Sequence, residues 1–331
     1  MFHVMGNHDN DPYIPEDFGA EAAYRTALGP TYYSMNLGKI HYIMLDNTVY
    51  VNEGAQHGVI GDRDYQKHLT ANQLKWLQED LSAVTHKNTP IVVGFHCQTN
   101  RNDNSDFAVR NSITPSSKRD EFMQCFTGFQ NVHFLSGHTH VNSTMIINNN
   151  IIEHNTAAVC ETFWWSGALT PQGICKDGTP SGYGVYQMNG TDINWYYKSI
   201  GKDKTKQFRA YDMNVVKSFF SRADVMEKMR LYGFRKDAPN DYENVEANTV
   251  LINIWNYDLS WKISVKEGNK ELALTRVFER DPLHSITFDL PRAEIGAPDD
   301  DWATSPNPNM FEVKTTKADS DVEIIVTDRF G

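Results

Sequence analysis

Three short apolar runs, each followed directly by polar residues, stand out in the hydrophobic pattern of the chain. They cover residues 2–5, 91–95 and 132–135. Uninterrupted apolar runs of this length between polar segments predict buried strands. Because open α/β sheets bind their ligands beyond the carboxyl ends of their strands, we expect the polar residues that follow these runs to meet at one edge.

The polar segments after the three runs carry four imidazoles and one carboxamide that suit a metal ion. They are Gly6-Asn7-His8-Asp9, the single His96, and Ser136-Gly137-His138-Thr139-His140. Imidazole nitrogen and amide oxygen are ligands that zinc, manganese and iron accept. The sequence therefore predicts a metal site, in which His138 and His140 point to one ion or to two. The competing interpretation is that these are turn residues and satisfied core histidines.

The rest of the first 200 residues alternates between helical and extended patterns. Helices are predicted at 16–28, 71–84 and 117–126, and the second of these has a capping box at Thr70-Ala71-Asn72-Gln73. Strands are predicted at 32–36, 39–45, 144–147, 151–154, 184–188 and 192–197. Such alternation favours an α/β domain built in layers, which we place at residues 1–200.

A second pattern begins after a charged segment at 201–213, which we interpret as a linker. Residues 214–232 favour a helix, and short extended segments follow at 249–255, 260–266, 272–278, 285–290, 310–315 and 322–327. Short strands at this spacing predict a small all-β sandwich domain, placed at residues 214–331.

Composition narrows the classes of function. The chain has 331 residues, of which 40% are hydrophobic, and a net charge of −11. That length suits two domains. The negative net charge argues against a broad surface for binding nucleic acid, because such a surface needs clustered Lys and Arg. No apolar run reaches the length of a transmembrane segment. The four cysteines lack C-x-x-C spacing, so we expect free thiols, with a Cys160–Cys175 disulfide as the alternative in an oxidising compartment.

The three polar segments together resemble the motifs of the calcineurin-like metallophosphoesterases. That family's pattern is D-x-H, G-D, G-N-H-D or G-N-H-E, a lone His, and G-H-x-H; this chain matches the last three in order. The resemblance spans about residues 1–200, with a weaker likeness beyond to a C-terminal domain of some bacterial members. It implies an α/β fold in which a β-sandwich of two mixed sheets is flanked by helices, with the site along one edge.

The resemblance also implies roles for individual residues. Asn7, His96 and His138 would bind the second of two divalent ions (Mn, Fe or Zn), and His140 would bind the first. His8, backed by Asp9, would stabilise or protonate the leaving group. The implied activity is hydrolysis of a phosphate monoester, diester or pyrophosphate bond by a metal-activated hydroxide.

One departure from the family pattern changes these expectations. In the family, the D-x-H and G-D motifs precede the G-N-H-D motif, yet only five residues precede Gly6 here. The later Gly61-Asp62-Arg63-Asp64 follows the G-N-H-D motif, and its composition predicts a polar loop. The chain therefore looks like an N-terminally incomplete phosphoesterase whose first metal lacks most of its ligands. We expect one ion or none instead of two, and impaired activity.

Substrate-binding candidates lie in two loops. Arg101 lies in the segment 98–114, which we predict to be a long loop beside the site. Its guanidinium could bind a phosphate with two hydrogen bonds. The alternative is that it is solvated, as exposed loop arginines usually are. Trp164 and Trp165 could stack on a sugar, base or lipid group, with packing beneath the loop as the alternative.

The expected partner is a phosphorylated small molecule, sugar or lipid, and two other functions remain open. One is a non-catalytic binding protein that keeps the fold without the site, and the other is a glycan- or envelope-associated module. The residues leave the location open, and the resemblance alone favours a periplasmic or secreted one.

Overall fold

A computed structural model of the chain describes residues 1–102, 106–164, 173–231, 242, 244–295 and 306–331. The fold divides into two compact units. The first unit comprises Met1–Thr139, Thr144–Asn155 and Gln187–Ile193, and the second comprises His140–Ser143, Thr156–Tyr186 and Asn194–Gly331. The strand Phe208–Asp212 lies within the predicted linker at 201–213. The domain boundaries at 1–200 and 214–331 stay a prediction.

The elements up to residue 155 alternate between strands and helices, in broad agreement with the hydrophobic pattern. The helices are α1 Asp17–Ala20, α2 Ala22–Leu28, α3 Ala71–Ala83 and α4 Lys118–Gln124. The strands are β1 Tyr33–Leu37, β2 Ile40–Met44, β3 Val49–Val51, β4 Asp64–Gln66, β5 Ile91–Cys97, β6 Asn100–Asn102, β7 Val109–Asn111, β8 Val132–Gly137, β9 Ser143–Ile146 and β10 Ile151–Asn155.

A six-stranded sheet in the order β1-β2-β5-β8-β10-β9 forms the framework of the first unit. Its four central strands are parallel, and Ile91 of β5 pairs with Val132 of β8. In β5 every residue except His96 is buried. This burial explains the uninterrupted apolar runs, because central parallel strands are covered on both faces.

Helices α3 and α4 contribute apolar side chains to the core of this unit. The Thr70 hydroxyl caps α3 by accepting a hydrogen bond from the backbone N–H of Gln73. Leu77 and Leu81 of α3 pack in one cluster with Phe122 of α4 and Phe134 of β8. Burying each such side chain contributes about 1.5–3 kcal/mol, so the helices and the sheet stabilise one another.

Two predictions for the first unit are wrong. Residues 2–5 form no strand: Phe2 is 55% exposed, and the Tyr33 hydroxyl bonds both the N–H and the C=O of His3, groups that a strand would offer to a neighbour. The segment at 98–114 is not a plain loop, because β6 and β7 pair as an antiparallel hairpin within it. The segment is rich in Asn and Asp, which have a low strand propensity, and pairing between β6 and β7 prevailed over that propensity.

The elements beyond residue 155 are mostly strands. They are β11 Gly182–Asn189, β12 Asp192–Ser199, β13 Phe208–Asp212, β14 Thr249–Ile254, β15 Lys262–Glu267, β16 Lys270–Glu271, β17 Thr275–Glu279, β18 Asn307–Lys314 and β19 Glu323–Thr327. The α-helices are α5 Met213–Phe220, α6 Ala223–Leu231, α7 Pro282–His284 and α8 Leu290–Glu294, with a π-helix at Ser285–Asp289.

The second unit contains two packed antiparallel sheets, one of four strands (β13-β14-β18-β17) and one of three (β16-β15-β19). Successive residues of β14 point to opposite faces of its sheet. Ile252 joins a cluster with Val265 of the three-stranded sheet, whereas Leu251 joins one with Val216 and Phe220 of α5. The four-stranded sheet is therefore covered by the smaller sheet on one face and by helices on the other.

The predicted strand at 285–290 is wrong, because these residues are helical. Asp281 accepts a hydrogen bond from the N–H of His284, and Pro282 occupies the first helical position. An Asp cap followed by Pro is a helix start, and the alternation of Ile286 and Phe288 hid this local signal.

The predicted fold class is confirmed: the chain has a mixed α/β part with several sheets and, after it, a small β domain.

Candidate metal centre

Three of the predicted ligands lie together at the carboxyl edge of the six-stranded sheet. Oδ1 of Asn7 is 2.8 Å from Nε2 of His96, and the same nitrogen is 3.1 Å from Nδ1 of His138. The two imidazole rings meet edge to face with their centroids 4.9 Å apart. The Asn7 amide oxygen and the His138 ring nitrogen therefore both lie within hydrogen-bond distance of Nε2 of His96.

The sheet brings the two histidines together. His96 is the penultimate residue of β5, and His138 directly follows β8, which is the parallel neighbour of β5. Cys97 pairs with Gly137, so each histidine is next to one member of that pair. His138 has a φ of 67°, which turns the chain sharply away from the strand.

A tight turn directs Asn7 towards His96. Oδ2 of Asp9 accepts a hydrogen bond of 2.8 Å from the N–H of Gly6, and the N–H of Asp9 donates to the carbonyl of Gly6. A Cβ on Gly6 would lie 3.2 Å from Cε1 and Nδ1 of His96, closer than side chains normally approach. Glycine therefore lets the backbone lie against the imidazole ring.

A tyrosine outside the motifs contacts the centre. The hydroxyl of Tyr65 in β4 is 3.0 Å from Nε2 of His138. Burial raises the pKa of this hydroxyl to about 12, so it stays neutral near pH 7. When Nδ1 of His138 carries the lone pair, Nε2 carries the proton and donates to the Tyr65 oxygen. Such contacts behind a ligand fix its tautomer and its orientation.

The donor atoms of the cluster suit a borderline divalent ion. Asn7, His96 and His138 supply one oxygen and two nitrogens, all neutral, and this mixture fits Mn, Fe or Zn. The side chains of His96, Cys97 and His138 also form a group whose ligand atoms lie within 4.8 Å of one another. Burial raises the pKa of the Cys97 thiol to about 11, which disfavours the thiolate that metals bind.

His140 belongs to the second unit and has its own hydrogen bonds there. Its Nδ1 is 2.7 Å from the carbonyl oxygen of Glu161, and its ring stacks on Phe163 with the centroids 4.5 Å apart. A carbonyl partner places the proton on Nδ1, so Nε2 carries the lone pair, as in a metal-ligating histidine. The assignment of His140 to a first ion stays a prediction.

His8 and Asp9 are both exposed. His8 lines a pocket, whereas the Asp9 carboxylate bonds the N–H of Gly6, so Asp9 supports the turn that carries Asn7 and His8. Their catalytic roles stay predictions.

The predicted substrate-binding residues also stay predictions. Arg101 is exposed in β6, on the hairpin that replaces the expected loop. Trp164 is 70% exposed and has a φ of 62°, which suits contact with a ligand or solvent better than packing in a core. Trp165 lies outside the described residues. The four cysteines are free thiols, and Cys97 and Cys175 are buried.

The sequence interpretation missed the wall of the pocket beside His8. This pocket has a volume of about 240 Å³ and is lined by Asn7, His8, Asn10, Pro12, Tyr50, Asp62, Arg63 and Tyr65. Apart from Asn7 and His8, no motif marks these residues, and the sequence predicts only a polar loop at Gly61-Asp62-Arg63-Asp64.

The structure places a pair of histidines and an amide at the carboxyl edge of a mainly parallel sheet, in a mixed α/β chain that also has a small β domain. A family model described as the C terminal of calcineurin-like phosphoesterase matches residues 153–331, which is more than half of the chain. The chain therefore belongs to the calcineurin-like phosphoesterase family, in the form that carries this C-terminal domain.

No curated protein matches the chain significantly. Among the described residues, no helix is both long enough and apolar enough to span a bilayer.

Proposed function

We propose that this protein is a metal-dependent phosphoesterase that hydrolyses a phosphate ester or pyrophosphate bond at the centre formed by Asn7, His96 and His138. The observation that carries the proposal is the approach of their three donor atoms, at 2.8 and 3.1 Å. Family membership supports the reaction class, and the neutral donor set supports Mn, Fe or Zn as the cofactor.

A divalent ion bound there supplies Lewis acidity and makes water a better nucleophile at neutral pH. In the overall reaction, a water oxygen forms a new P–O bond, the P–O bond to the leaving group breaks, and a proton passes to the leaving oxygen. His8 lies in the pocket beside Asn7 and is the proposed proton donor. Tyr65 holds the His138 ring, and Asp9 holds the turn that directs Asn7.

His140 is the proposed ligand of a further ion. Arg101, Trp164 and Trp165 are proposed to contact the substrate. The assignment of His140 rests on the motif G-H-T-H and on the resemblance to the family. The assignments of Arg101, Trp164 and Trp165 rest on their positions in the sequence and on the chemistry of their side chains.

The test combines metal content with turnover. The full chain is purified, loaded separately with Mn²⁺, Zn²⁺ and Fe²⁺, and assayed with p-nitrophenyl phosphate and bis(p-nitrophenyl) phosphate. His96→Ala should lose most of the bound metal and at least about 100-fold in kcat/KM, because a ligand to the ion is removed. The matched control is His86→Ala, since His86 is an exposed histidine away from the cluster.

Metal content that is unchanged in His96→Ala would refute the ligand assignment. Bound metal without hydrolysis of either ester under any loading would refute the catalytic proposal and favour a non-catalytic binding protein.

A further inference from the structure

The strand that carries His96 is irregular just before its end. Between Gly94 and Cys97 the register of β5 against β8 shifts, so that Phe95 and His96 of β5 lie opposite the single residue Ser136 of β8. Two residues opposite one form a β-bulge, which is rare in parallel pairs. A bulge bends its strand and re-aims a side chain, and bulges are common next to active sites. The direction of His96 therefore depends on how the end of this bulge is held.

A side chain takes the place of a neighbouring strand at the end of the bulge. The pairing of β2 with β5 extends to Met44 and Gly94, and the N–H of Leu45 then bonds the carbonyl of Gly94 at 2.9 Å. Further along, Oδ1 of Asn47 accepts a hydrogen bond of 3.0 Å from the N–H of Cys97, and Nδ2 of Asn47 donates to the carbonyl of Cys97 at 2.5 Å. One amide thus bonds both backbone groups of the residue that follows the bulge.

Asn47 is in turn connected to helix α3. Oε1 of Gln73 accepts a hydrogen bond of 2.9 Å from the N–H of Asp46, and Nε2 of Gln73 donates to the carbonyl of Asp46 at 2.7 Å. Asn47 is 6% exposed and Gln73 is 2% exposed, so both amides lie in the interior, where such hydrogen bonds are stronger than in water. Two buried amides in series therefore connect α3 to the residue next to His96.

We propose that Asn47 is a positioning residue of the metal centre, which holds the bulge of β5 so that Nε2 of His96 stays close to Asn7 and His138. The inference rests on the proposed function, because the metal centre gives His96 its role. Without the amide of Asn47, the end of β5 loses two hydrogen bonds, whereas residues 91–94 remain paired with β2 and β8. The direction of His96 should therefore be lost before the fold is.

The first test needs no metal. Nuclear Overhauser effects between the ring protons of His96 and His138, whose centroids are 4.9 Å apart, are recorded on the full, histidine-labelled chain in EDTA. The unmodified chain should give this cross-peak. Asn47→Leu removes both hydrogen bonds at similar side-chain size and should lose most of the cross-peak. The matched control is Asn253→Leu, which removes the hydrogen bonds of another buried amide, in β14, and should keep it.

The second test uses bound metal. Electron spin-echo envelope modulation of the Cu²⁺-loaded chain counts the coordinated imidazoles, and Asn47→Leu should show one fewer than the unmodified chain. Its affinity for Zn²⁺ should fall about 10- to 100-fold, as is typical when a group that orients a ligand is removed. Asn47→Asp should show the same losses, because a carboxylate faces the carbonyl of Cys97 in place of a donor. This variant keeps the size of the side chain and decides the test if Asn47→Leu does not fold.

An unchanged cross-peak in a folded Asn47 variant would overturn the inference. Equal losses in Asn253→Leu would also overturn it, because they would reflect a general loosening of the fold. If the unmodified chain binds no metal, the proposed function fails, and the cross-peak still decides the role of Asn47. If the unmodified chain binds Mn²⁺ and hydrolyses p-nitrophenyl phosphate, but the Asn47 variants keep the cross-peak and the metal affinity, the positioning role alone is refuted.

Discussion

The hydroxyl oxygen of Tyr65 lies 3.0 Å from Nε2 of His138, and the two rings meet at an interplanar angle of 89°. The two residues are 73 positions apart in the chain. The contact connects the loop-borne strand β4 to the histidine that follows β8, and it controls the ring orientation of a proposed metal ligand.

Removing this hydroxyl should weaken metal binding. We expect Tyr65→Phe to lower the affinity for Zn²⁺ by about 10-fold or more, because groups that orient a ligating histidine typically contribute that much. Competition with a chromogenic chelator measures the affinity. Tyr13→Phe is the control, since Tyr13 is 41% exposed and is not part of the cluster. Equal affinities of Tyr65→Phe and the unmodified chain would show that the contact does not support the centre.

Loosening the turn at Gly6 should have a similar effect. Asp9→Ala removes the carboxylate that accepts from the N–H of Gly6 at 2.8 Å, so Asn7 is no longer held towards His96. The expected result is a loss of metal affinity by about 10-fold, with Tm changed little because Asp9 is exposed. Asp11→Ala is the control, because the Asp11 carboxylate accepts from the N–H of Tyr13 and not from that of Gly6. If metal affinity is retained in Asp9→Ala, the turn does not depend on this bond.

The aromatic core of the first unit should be sensitive to truncation. Phe134 is fully buried and contacts Phe95, Phe122 and Phe126 at centroid distances of 5.0–5.5 Å. Phe134→Ala should lower the free energy of unfolding by about 3–5 kcal/mol, because it removes buried contacts and leaves a cavity. Urea denaturation measures the loss. Phe18→Ala, at a residue 74% exposed, should cost far less, and comparable losses would contradict the placement of this core.

Asp177 in the second unit should make stability depend on pH. Burial raises its pKa to about 6, although its oxygens accept hydrogen bonds from the N–H groups of Asn142 and Thr179. The folded state therefore holds this proton more tightly than the unfolded state. The resulting stabilisation is fully present below pH 3.8 and is lost as the pH rises to about 6.

The loss corresponds to about 3 kcal/mol between these pH values. Unfolding free energies measured in urea from pH 4 to pH 7 should show this decrease, and Asp177→Asn, which keeps the shape of the side chain, should flatten it. An unaltered pH profile in the variant would assign the dependence to other groups, such as Asp46, whose pKa burial also raises.

Local patterns in the chain were sufficient for much of the fold. The apolar runs at 91–95 and 132–135 became the central strands β5 and β8, and the capping box at Thr70 began α3 as expected. The family motifs also identified Asn7, His96 and His138 as potential ligands, and these three lie together. Such features are readable because burial and capping impose a short-range pattern on the residues themselves.

The hydrophobic pattern failed where other contacts, distant or local, prevailed over it. Residues 2–5 have the apolar character of a strand, yet the hydroxyl of Tyr33 bonds their backbone in place of a neighbouring strand. Residues 285–290 alternate as a strand does, yet the cap at Asp281 starts a helix.

The pocket beside His8 and the contact of Tyr65 with His138 depend on tertiary structure alone. Arg63 and Tyr65 lie in a segment without a regular hydrophobic pattern. The hydrogen bonds of Asn52, the bond from the N–H of Gly61 to the carbonyl of Pro12 and the pairing of β3 with β4 join this segment to others that are distant in sequence. The residue types that can bind a metal are thus visible in the chain. The residues that surround the metal site are not, because their positions result from contacts between segments that are far apart in sequence.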